Sequence, residues 1–238
     1  MARGNPDYQR TIMGLSPTGY PASPAVIPHI WLIDDFESPS LKWYRNQGTL
    51  TLTTKTGVDD TDAEVINGSS SLKITSPVGD AIQVRFDFPP PIVQGRVGFA
   101  YKFYVFDYDN LAIDYEHLMF MKFLLDSGVT RRSGIIDYDP STYKWYLSED
   151  NGSTWIEFAT HRLRSTSYSH IKLVVDLSVN KYVKFFIDGT EYDISSYNLY
   201  TKTAPGGSIG RFFIDIGGDT GDQAIMLVDD FTITIYES

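Results

Sequence analysis

The residues of this chain whose types could do chemistry are mainly carboxylates. Aspartate pairs lie in the first and last predicted strands, as Asp34-Asp35 and Asp229-Asp230, and each pair is followed by a phenylalanine. By alternation, Asp229 is expected on the same face as Leu227 and Phe231. A carboxylate in an apolar stripe is costly unless something compensates it. The two pairs therefore predict that the ends of the chain meet near a shared polar feature, which is an architectural clue and not an active site.

Catalytic arrangements are largely missing from the sequence. The four histidines form no His-x-His or His-x-x-x-His pair, and the chain has no cysteine, which argues against a zinc site. No Gly-x-Ser-x-Gly elbow is present. Glycoside hydrolysis needs two facing carboxyl groups roughly 5–10 Å apart, and the candidates are Glu116, Glu149 and Glu157. We expect that this protein is not an enzyme.

Aromatic side chains offer a second kind of chemistry, because the C–H face of a sugar stacks on an aromatic ring. Trp145, Tyr146 and Trp155 lie around the turn Glu149–Gly152 and are the best candidates for glycan binding. In a strand, Trp145 and Tyr146 point to opposite faces, and one of these faces must be core. Aromatic core packing therefore remains the alternative for these rings. The acidic stretch 137–139 is predicted to be a solvated turn, with binding of a cation or a sugar as the alternative.

Composition narrows the class of protein. The chain has 238 residues, 42% of them hydrophobic, which suits one large all-β domain. A net charge of −10 and a pI near 4.7 argue against nucleic acid or an anionic membrane as partner. No run of 18 apolar residues is present. No apolar run follows Arg3 as it would in a signal peptide, so we expect the chain to be made and first kept in a cytoplasm.

Alternating apolar and polar residues predict strands over most of residues 29–238, which we take as one domain with about twelve to fourteen strands. Leu118–Leu125 is continuously apolar and is expected to be a strand buried on both faces. The main predicted strands are Ile30–Phe36, Thr49–Lys55, Ser71–Thr75, Ala81–Phe88, Val97–Val105, Leu118–Leu125, Tyr143–Leu147, Thr154–Ala159, His170–Asp176, Lys181–Ile187, Ser208–Ile216 and Gln223–Tyr236. This pattern predicts an antiparallel β-sandwich.

Residues 1–28 differ from the rest of the chain in composition. They contain five prolines and show no hydrophobic period, and proline at this density blocks both helices and central strands. We interpret them as an extended arm that packs on its own domain or docks on a neighbouring subunit. The expected anchors of this arm are its larger apolar and aromatic side chains, Tyr8, Ile12, Met13, Leu15 and Tyr20.

Several short motifs resemble those of jelly-roll carbohydrate-binding modules. They are Asp34-Asp35-Phe36-Glu37, then Trp43, then the segment 68–74, with Val228-Asp229-Asp230-Phe231 near the other end. Tyr182–Gly189 is similar to a hairpin of concanavalin-like sandwiches. The resemblance implies a jelly-roll or concanavalin-like β-sandwich, and with it a carbohydrate-binding or lectin-like function.

The same resemblance implies a structural calcium ion held by acidic residues near the first and last strands. Matched position by position, its ligands would be Glu37 and Asp229, with Asp35 as a further candidate. Calcium takes six to eight oxygen ligands, which clustered carboxylates and backbone carbonyls supply. The alternative is that Asp229 accepts hydrogen bonds from backbone N–H groups at a β-bulge.

The first eight residues resemble the start of bacteriophage structural proteins. With the arm, this resemblance implies a structural protein of a phage-like particle, such as a capsid decoration or minor capsid protein. Its partners would be sibling subunits or a capsid shell protein, and we expect a homo-oligomer located in the virion. The alternative function is a carbohydrate-binding module or lectin-like adhesin located outside the cell.

Overall fold

The structure is a computed structural model and is described for ten segments of the chain. These are residues 29–38, 42–45, 48–54, 70–89, 95–106, 118–164, 167–204, 206–217, 224–235 and 237. The expected arm, 1–28, lies outside them with its five predicted anchors. Within these segments the secondary structure is strands and turns, and none of it is a helix long and apolar enough to cross a membrane.

The described residues form sixteen strands. In chain order they are β1 (His29–Asp34), β2 (Trp43–Arg45), β3 (Thr49–Thr54), β4 (Ser70–Thr75), β5 (Ala81–Phe88), β6 (Arg96–Phe106), β7 (Leu118–Asp126), β8 (Thr130–Asp139), β9 (Lys144–Ser148), β10 (Ile156–Thr160), β11 (Ser169–Asp176), β12 (Lys181–Ile187), β13 (Thr190–Asp193), β14 (Tyr200–Thr203), β15 (Ile209–Gly217) and β16 (Ile225–Ile235).

The strands form two antiparallel sheets of eight strands each. Sheet A has the order β13-β12-β11-β6-β16-β4-β3, and β1 also pairs with β16. Sheet B has the order β10-β9-β8-β7-β15-β5-β2, and β14 also pairs with β8. The two sheets pack face to face, which is the jelly-roll or concanavalin-like β-sandwich that the sequence predicts.

The core between the sheets is rich in aromatic side chains. Around Trp43 lie Phe86, Phe212 and Phe231, with ring centroids 5.2, 6.4 and 5.3 Å away. All four rings are buried, and complete burial of a side chain of this size stabilises the fold by about 1.5–3 kcal/mol. Trp43 therefore anchors the short strand β2 to the core, and the next residue, Tyr44, faces outward.

The ends of the chain meet as predicted, because β1 pairs with β16 and Asp34 lies opposite Phe231. Asp34 accepts hydrogen bonds from the Trp43 indole N–H (3.1 Å) and the Phe36 backbone N–H (3.2 Å). The expected face of Asp229 was wrong, however. The register shifts between Asp229 and Thr232, where Asp230 has φ 50°. This bulge places Asp229 on the outer face of sheet A and Phe231 in the core.

Two further details differ from the sequence predictions. Strand β8 was missed, because Arg131, Arg132 and Gly134 interrupt its apolar alternation. Strand β7 is not buried on both faces: Met121, Phe123 and Leu125 lie in the core, whereas Lys122 and Leu124 lie on the outer face and are half-buried.

One hydroxyl group links the two sheets. Tyr182 extends from β12 of sheet A, accepts a hydrogen bond from the Ile135 N–H of β8 (2.9 Å) and donates one to the Ser148 carbonyl of β9 (2.8 Å). Gly134 leaves room for this contact, since a Cβ there would lie 2.4 Å from Phe123 and 3.1 Å from Tyr182.

Candidate functional site

The outer face of sheet B carries most of the groups that could bind a ligand. Its β2–β5 edge is fixed by the core, because Trp43 and Phe86 pair across these strands and point inward. Strand alternation then turns the next pair, Tyr44 and Arg85, to the outer face. The same row continues across the sheet through Phe213 and Lys122, over a distance of about 14 Å.

A pocket of about 330 Å³ opens at this edge and is lined by Tyr44, Arg45, Gln83 and Arg85. We call it the edge pocket. Tyr44 is 57% exposed, and the Arg85 guanidinium lies 5.3 Å from the centre of its ring. A cation over an aromatic face is attracted by the ring quadrupole, so the two side chains hold each other in place. The pocket therefore combines an accessible ring with planar polar groups.

Carboxyl groups at neighbouring positions hold two polar side chains of the edge pocket in place. Arg85 Nε lies 2.9 Å from Asp87 Oδ1 in an ion pair, and the Gln83 amide nitrogen donates to Asp215 Oδ2 at 3.0 Å. Because these partners are on β5 itself and on the adjacent strand β15, the sheet positions the polar groups of Gln83 and Arg85.

Asp215 is the carboxyl group next to the edge pocket. Burial raises its pKa to about 7, although the hydrogen bond from Gln83 and the charge of Lys122 oppose that rise. Burial in turn lowers the pKa of Lys122, against the charge of Asp215. Near neutral pH, Asp215 therefore carries only part of a negative charge.

Asp137 is a second carboxyl group with a raised pKa, and the sequence placed it wrongly in a solvated turn. It lies in β8 with no exposed surface. Burial raises its pKa to about 7, the charges of Asp139 and Asp215 add to the rise, and a hydrogen bond from the Tyr138 N–H opposes it. Asp137 and Asp215 share the outer face with one strand between them, about 10 Å apart at the backbone. Because Asp137 is enclosed, the two carboxyl groups do not face an open cleft together.

The predicted glycan platform at the β9–β10 hairpin is only partly available. Trp145 was wrong as a platform: it is completely buried, its ring packs 4.7 Å from Tyr138 and 5.2 Å from Phe185, and its indole N–H donates to His161 O. Tyr146 lies on the outer face of sheet B and Trp155 just before β10, and both are partly exposed. A glycan-binding role for these two residues stays a prediction.

Asp35, Glu37 and Asp229 accept hydrogen bonds from other described residues, and calcium binding by them stays a prediction. Asp35 and Glu37 are exposed, and Glu37 Oε1 accepts the Ser70 N–H at 2.9 Å. Asp229 is buried and accepts hydrogen bonds from Ser71 Oγ (3.1 Å) and the Asp230 N–H (2.8 Å). Among the described residues, no three His, Asp or Glu side chains gather as metal ligands. Asp229 accepts a backbone N–H at a bulge, as in the alternative.

Sequence reasoning missed the edge pocket, although part of the signal was present. Strand β5 was predicted with correct ends, and its alternation marks Gln83 and Arg85 as outward-facing polar residues. Strand β2 has only three residues, which is too short for a period to show. The partnership of Gln83 with Asp215, 132 residues away, has no local signal.

Comparisons with known proteins describe the fold and do not assign a family. No family model matches the chain, and no curated protein matches it. Among solved structures it is similar to a conserved carbohydrate esterase of the Shiga toxin-encoding bacteriophage phi24B, with 12% identity over 81% of this chain and 89% of the other, and a TM-score of 0.49.

Two further solved structures give a similar result. The endo-1,3-beta-glucanase from Streptomyces sioyaensis has 17% identity, a TM-score of 0.47 and coverage of 91% and 99% of the two chains. A basic winged bean lectin with Tn-antigen has 10% identity, a TM-score of 0.43 and coverage of 81% and 97%. At these values the likenesses concern the fold alone, so the functional argument rests on this chain's own residues.

Proposed function

We propose that this protein binds carbohydrate at the edge pocket. The observation that carries the proposal is the exposed ring of Tyr44 beside Gln83 and Arg85 in one pocket. A sugar has an apolar C–H face and a rim of hydroxyl groups. An accessible aromatic ring suits the first, and the donors and acceptors of amide and guanidinium groups suit the second.

The contacts around the pocket support binding, because they order its side chains before a ligand arrives. Asp87 holds Arg85, Asp215 holds Gln83, and Arg85 lies over Tyr44. Immobilising a flexible side chain on binding costs roughly 0.5–1.5 kcal/mol. Part of that cost is already met in the free protein, which favours binding.

We propose binding without catalysis. Acid–base cleavage of a glycosidic bond needs two carboxyl groups that reach the same substrate. Asp215 lies near the edge pocket, but Asp137, the other carboxyl group with a raised pKa on this face, is enclosed. A ligand in the edge pocket therefore meets one carboxyl group of this pair.

The test compares binding of a panel of soluble polysaccharides by isothermal titration calorimetry. The wild-type protein and Tyr44→Ala are measured beside Tyr168→Ala, which removes a partly exposed tyrosine just before β11 of the other sheet, next to Tyr104. We expect at least one polysaccharide to bind, the Tyr44 variant to lose at least tenfold in affinity, and the control to retain it. Equal affinities for all three proteins, or no binding at all, would overturn the proposal.

The arm favours a second candidate function. We propose that the chain is a structural protein of a phage-like particle, such as a capsid decoration protein, and that residues 1–28 bind sibling subunits or a shell protein. The support is the proline-rich sequence of the arm with its apolar anchors. Burial of such a segment on a partner favours the assembled state by mass action. A glycan-binding face is compatible with this role.

Light scattering tests the second candidate. Full-length protein is compared with a variant lacking residues 1–28, and thermal unfolding checks that both are folded. We expect a discrete oligomer from the first and a folded monomer from the second. Two monomers of equal stability would rule out self-assembly through the arm.

A further inference from the structure

We propose that the edge pocket binds the anionic group of an acidic carbohydrate, a carboxylate or a sulfate, between Arg45 and Arg85. This inference rests on the proposed carbohydrate-binding function and names its ligand class. Two of the four described residues that line the pocket are arginines. The chain as a whole has a net charge of −10, so two guanidinium groups at one pocket oppose the general charge of the protein.

The charge balance around the pocket is positive. Arg85 Nε lies 2.9 Å from Asp87 Oδ1, and Arg211 Nε approaches the same oxygen at 3.7 Å. One carboxylate therefore lies within ion-pair distance of two guanidinium groups. Arg45 is exposed and makes no ion pair with any residue that the structure describes. Among the described residues, these three arginines and one aspartate leave an excess of two positive charges beside the pocket.

The neighbouring carboxyl group does not cancel this excess. Asp215 is not among the described residues that line the pocket, and its Oδ2 atom accepts a hydrogen bond from the Gln83 amide. Burial also raises its pKa to about 7, so it is partly protonated at neutral pH. Lys122, in the same row of the sheet as Arg85, adds a further cation to this face.

The geometry of Arg85 suits a planar anion. Its Nε lies 2.9 Å from Asp87 Oδ1, and its side chain is 40% exposed. Within the described part of the chain, no group accepts a hydrogen bond from its two terminal nitrogens. The Tyr44 ring, 5.3 Å from the guanidinium carbon, restrains the plane of the group. Terminal nitrogens held in this way can donate in parallel to the two oxygens of a carboxylate or to a sulfate.

The experiment measures the affinity of the intact protein for three polymers by calorimetry. They are polygalacturonate, the same polymer after reduction of its carboxyl groups, and a sulfated polysaccharide. We expect at least one anionic polymer to bind tenfold or more tightly than the reduced polymer, with an affinity that falls as salt screens the charges. The anionic polymer that binds identifies the anion as carboxylate or sulfate.

Two variants and a matched control locate the effect. Arg45→Gln and Arg85→Gln are each expected to lower affinity for the anionic polymer at least tenfold, and to lower affinity for the neutral polymer by a smaller factor. Arg162→Gln is the control, because Arg162 also lies over a tyrosine, Tyr143, at 5.1 Å, but at the other edge of sheet B. Its affinity is expected to equal that of the wild type.

The outcomes separate this inference from the function on which it rests. Equal binding of the reduced and anionic polymers, weakened by Tyr44→Ala, would overturn the anionic specificity and leave carbohydrate binding in place. Anion binding that is unchanged in both pocket variants would also overturn it, because the site would then lie elsewhere. Absence of binding to any carbohydrate would overturn the proposed function itself.

Discussion

The two edges of sheet B carry the same contact in different surroundings. At the β2 edge the Arg85 guanidinium lies 5.3 Å from the Tyr44 ring, and at the β10 edge Arg162 lies 5.1 Å from Tyr143. Tyr44 is 57% exposed and lines a pocket, whereas Tyr143 is half-buried and packs against the core. An arginine over a tyrosine is therefore not in itself a binding site. The β2 edge differs from the β10 edge in the access to its tyrosine ring and in the further polar groups beside that ring.

The β9–β10 side of sheet B should respond to substitution as a core does. We expect Trp145→Ala to lower the free energy of unfolding by about 3–5 kcal/mol, because a large, fully buried side chain leaves a cavity. Denaturation in urea measures the change, with Trp155→Ala as a partly exposed control that should cost less. A Trp145 variant of nearly wild-type stability that no longer binds glycans would restore Trp145 as a platform and break the comparison.

The pH dependence of stability tests the enclosed carboxyl group in the same half. Burial raises the pKa of Asp137 to about 7 in the folded state, against about 3.9 in an unfolded chain. Its contribution to stability is therefore present below pH 4 and is lost as the pH rises through 7. The loss is at most on the order of 4 kcal/mol.

Asp137→Asn should reduce the loss of stability with rising pH. Urea denaturation of the variant and the wild type at a series of pH values from 4 to 8 measures this change. The same slopes in the variant and the wild type would show that Asp137 does not titrate in this range. Asp215→Asn provides the companion measurement near the edge pocket, where burial also raises the pKa to about 7.

Removal of the Tyr182 hydroxyl, which links the two sheets, should have a smaller effect on stability. Tyr182→Phe leaves the Ile135 N–H and the Ser148 carbonyl without this partner, and we expect a loss of about 1–3 kcal/mol in the free energy of unfolding. Tyr197→Phe is a suitable control, since Tyr197 is a partly buried tyrosine beside the same core. Equal stability of the two variants would mean that the hydroxyl bond contributes nothing net.

The β2 edge should show the smallest effect on stability. Tyr44→Ala removes an exposed ring, and we expect the free energy of unfolding to change by no more than about 0.5 kcal/mol. Thermal and urea unfolding measure it beside the binding assay. A large loss of stability would show that Tyr44 is a structural residue, and both edges of the sheet would then be alike.

Most of the fold was predictable from the sequence, because alternation records which face of a strand is buried. Strands β5 and β12 were predicted with correct ends. Alternation failed where the backbone departs from regular pairing. The bulge at Asp229–Thr232 reverses the faces within β16, and the polar residues of β8 conceal a strand that lies in the middle of sheet B.

The candidate site was less predictable than the fold. Trp145 and Tyr44 are both aromatic residues in strands, and the sequence does not say which of them is covered. That depends on partners far away in the chain: Phe185 of the other sheet packs on Trp145, whereas Tyr44 lies on an edge strand paired only with β5 among the described strands. Exposure is a property of the assembled sandwich and not of a local segment.

The position of the edge pocket has an evolutionary consequence. Tyr44 and Arg45 belong to a strand of three residues at the border of sheet B, and Trp43 alone of that strand is buried in the core. Substitutions at these two exposed positions can therefore accumulate with little penalty to folding, while β5 keeps the frame of the pocket. On the proposed function, ligand preference can therefore change with little change in the architecture.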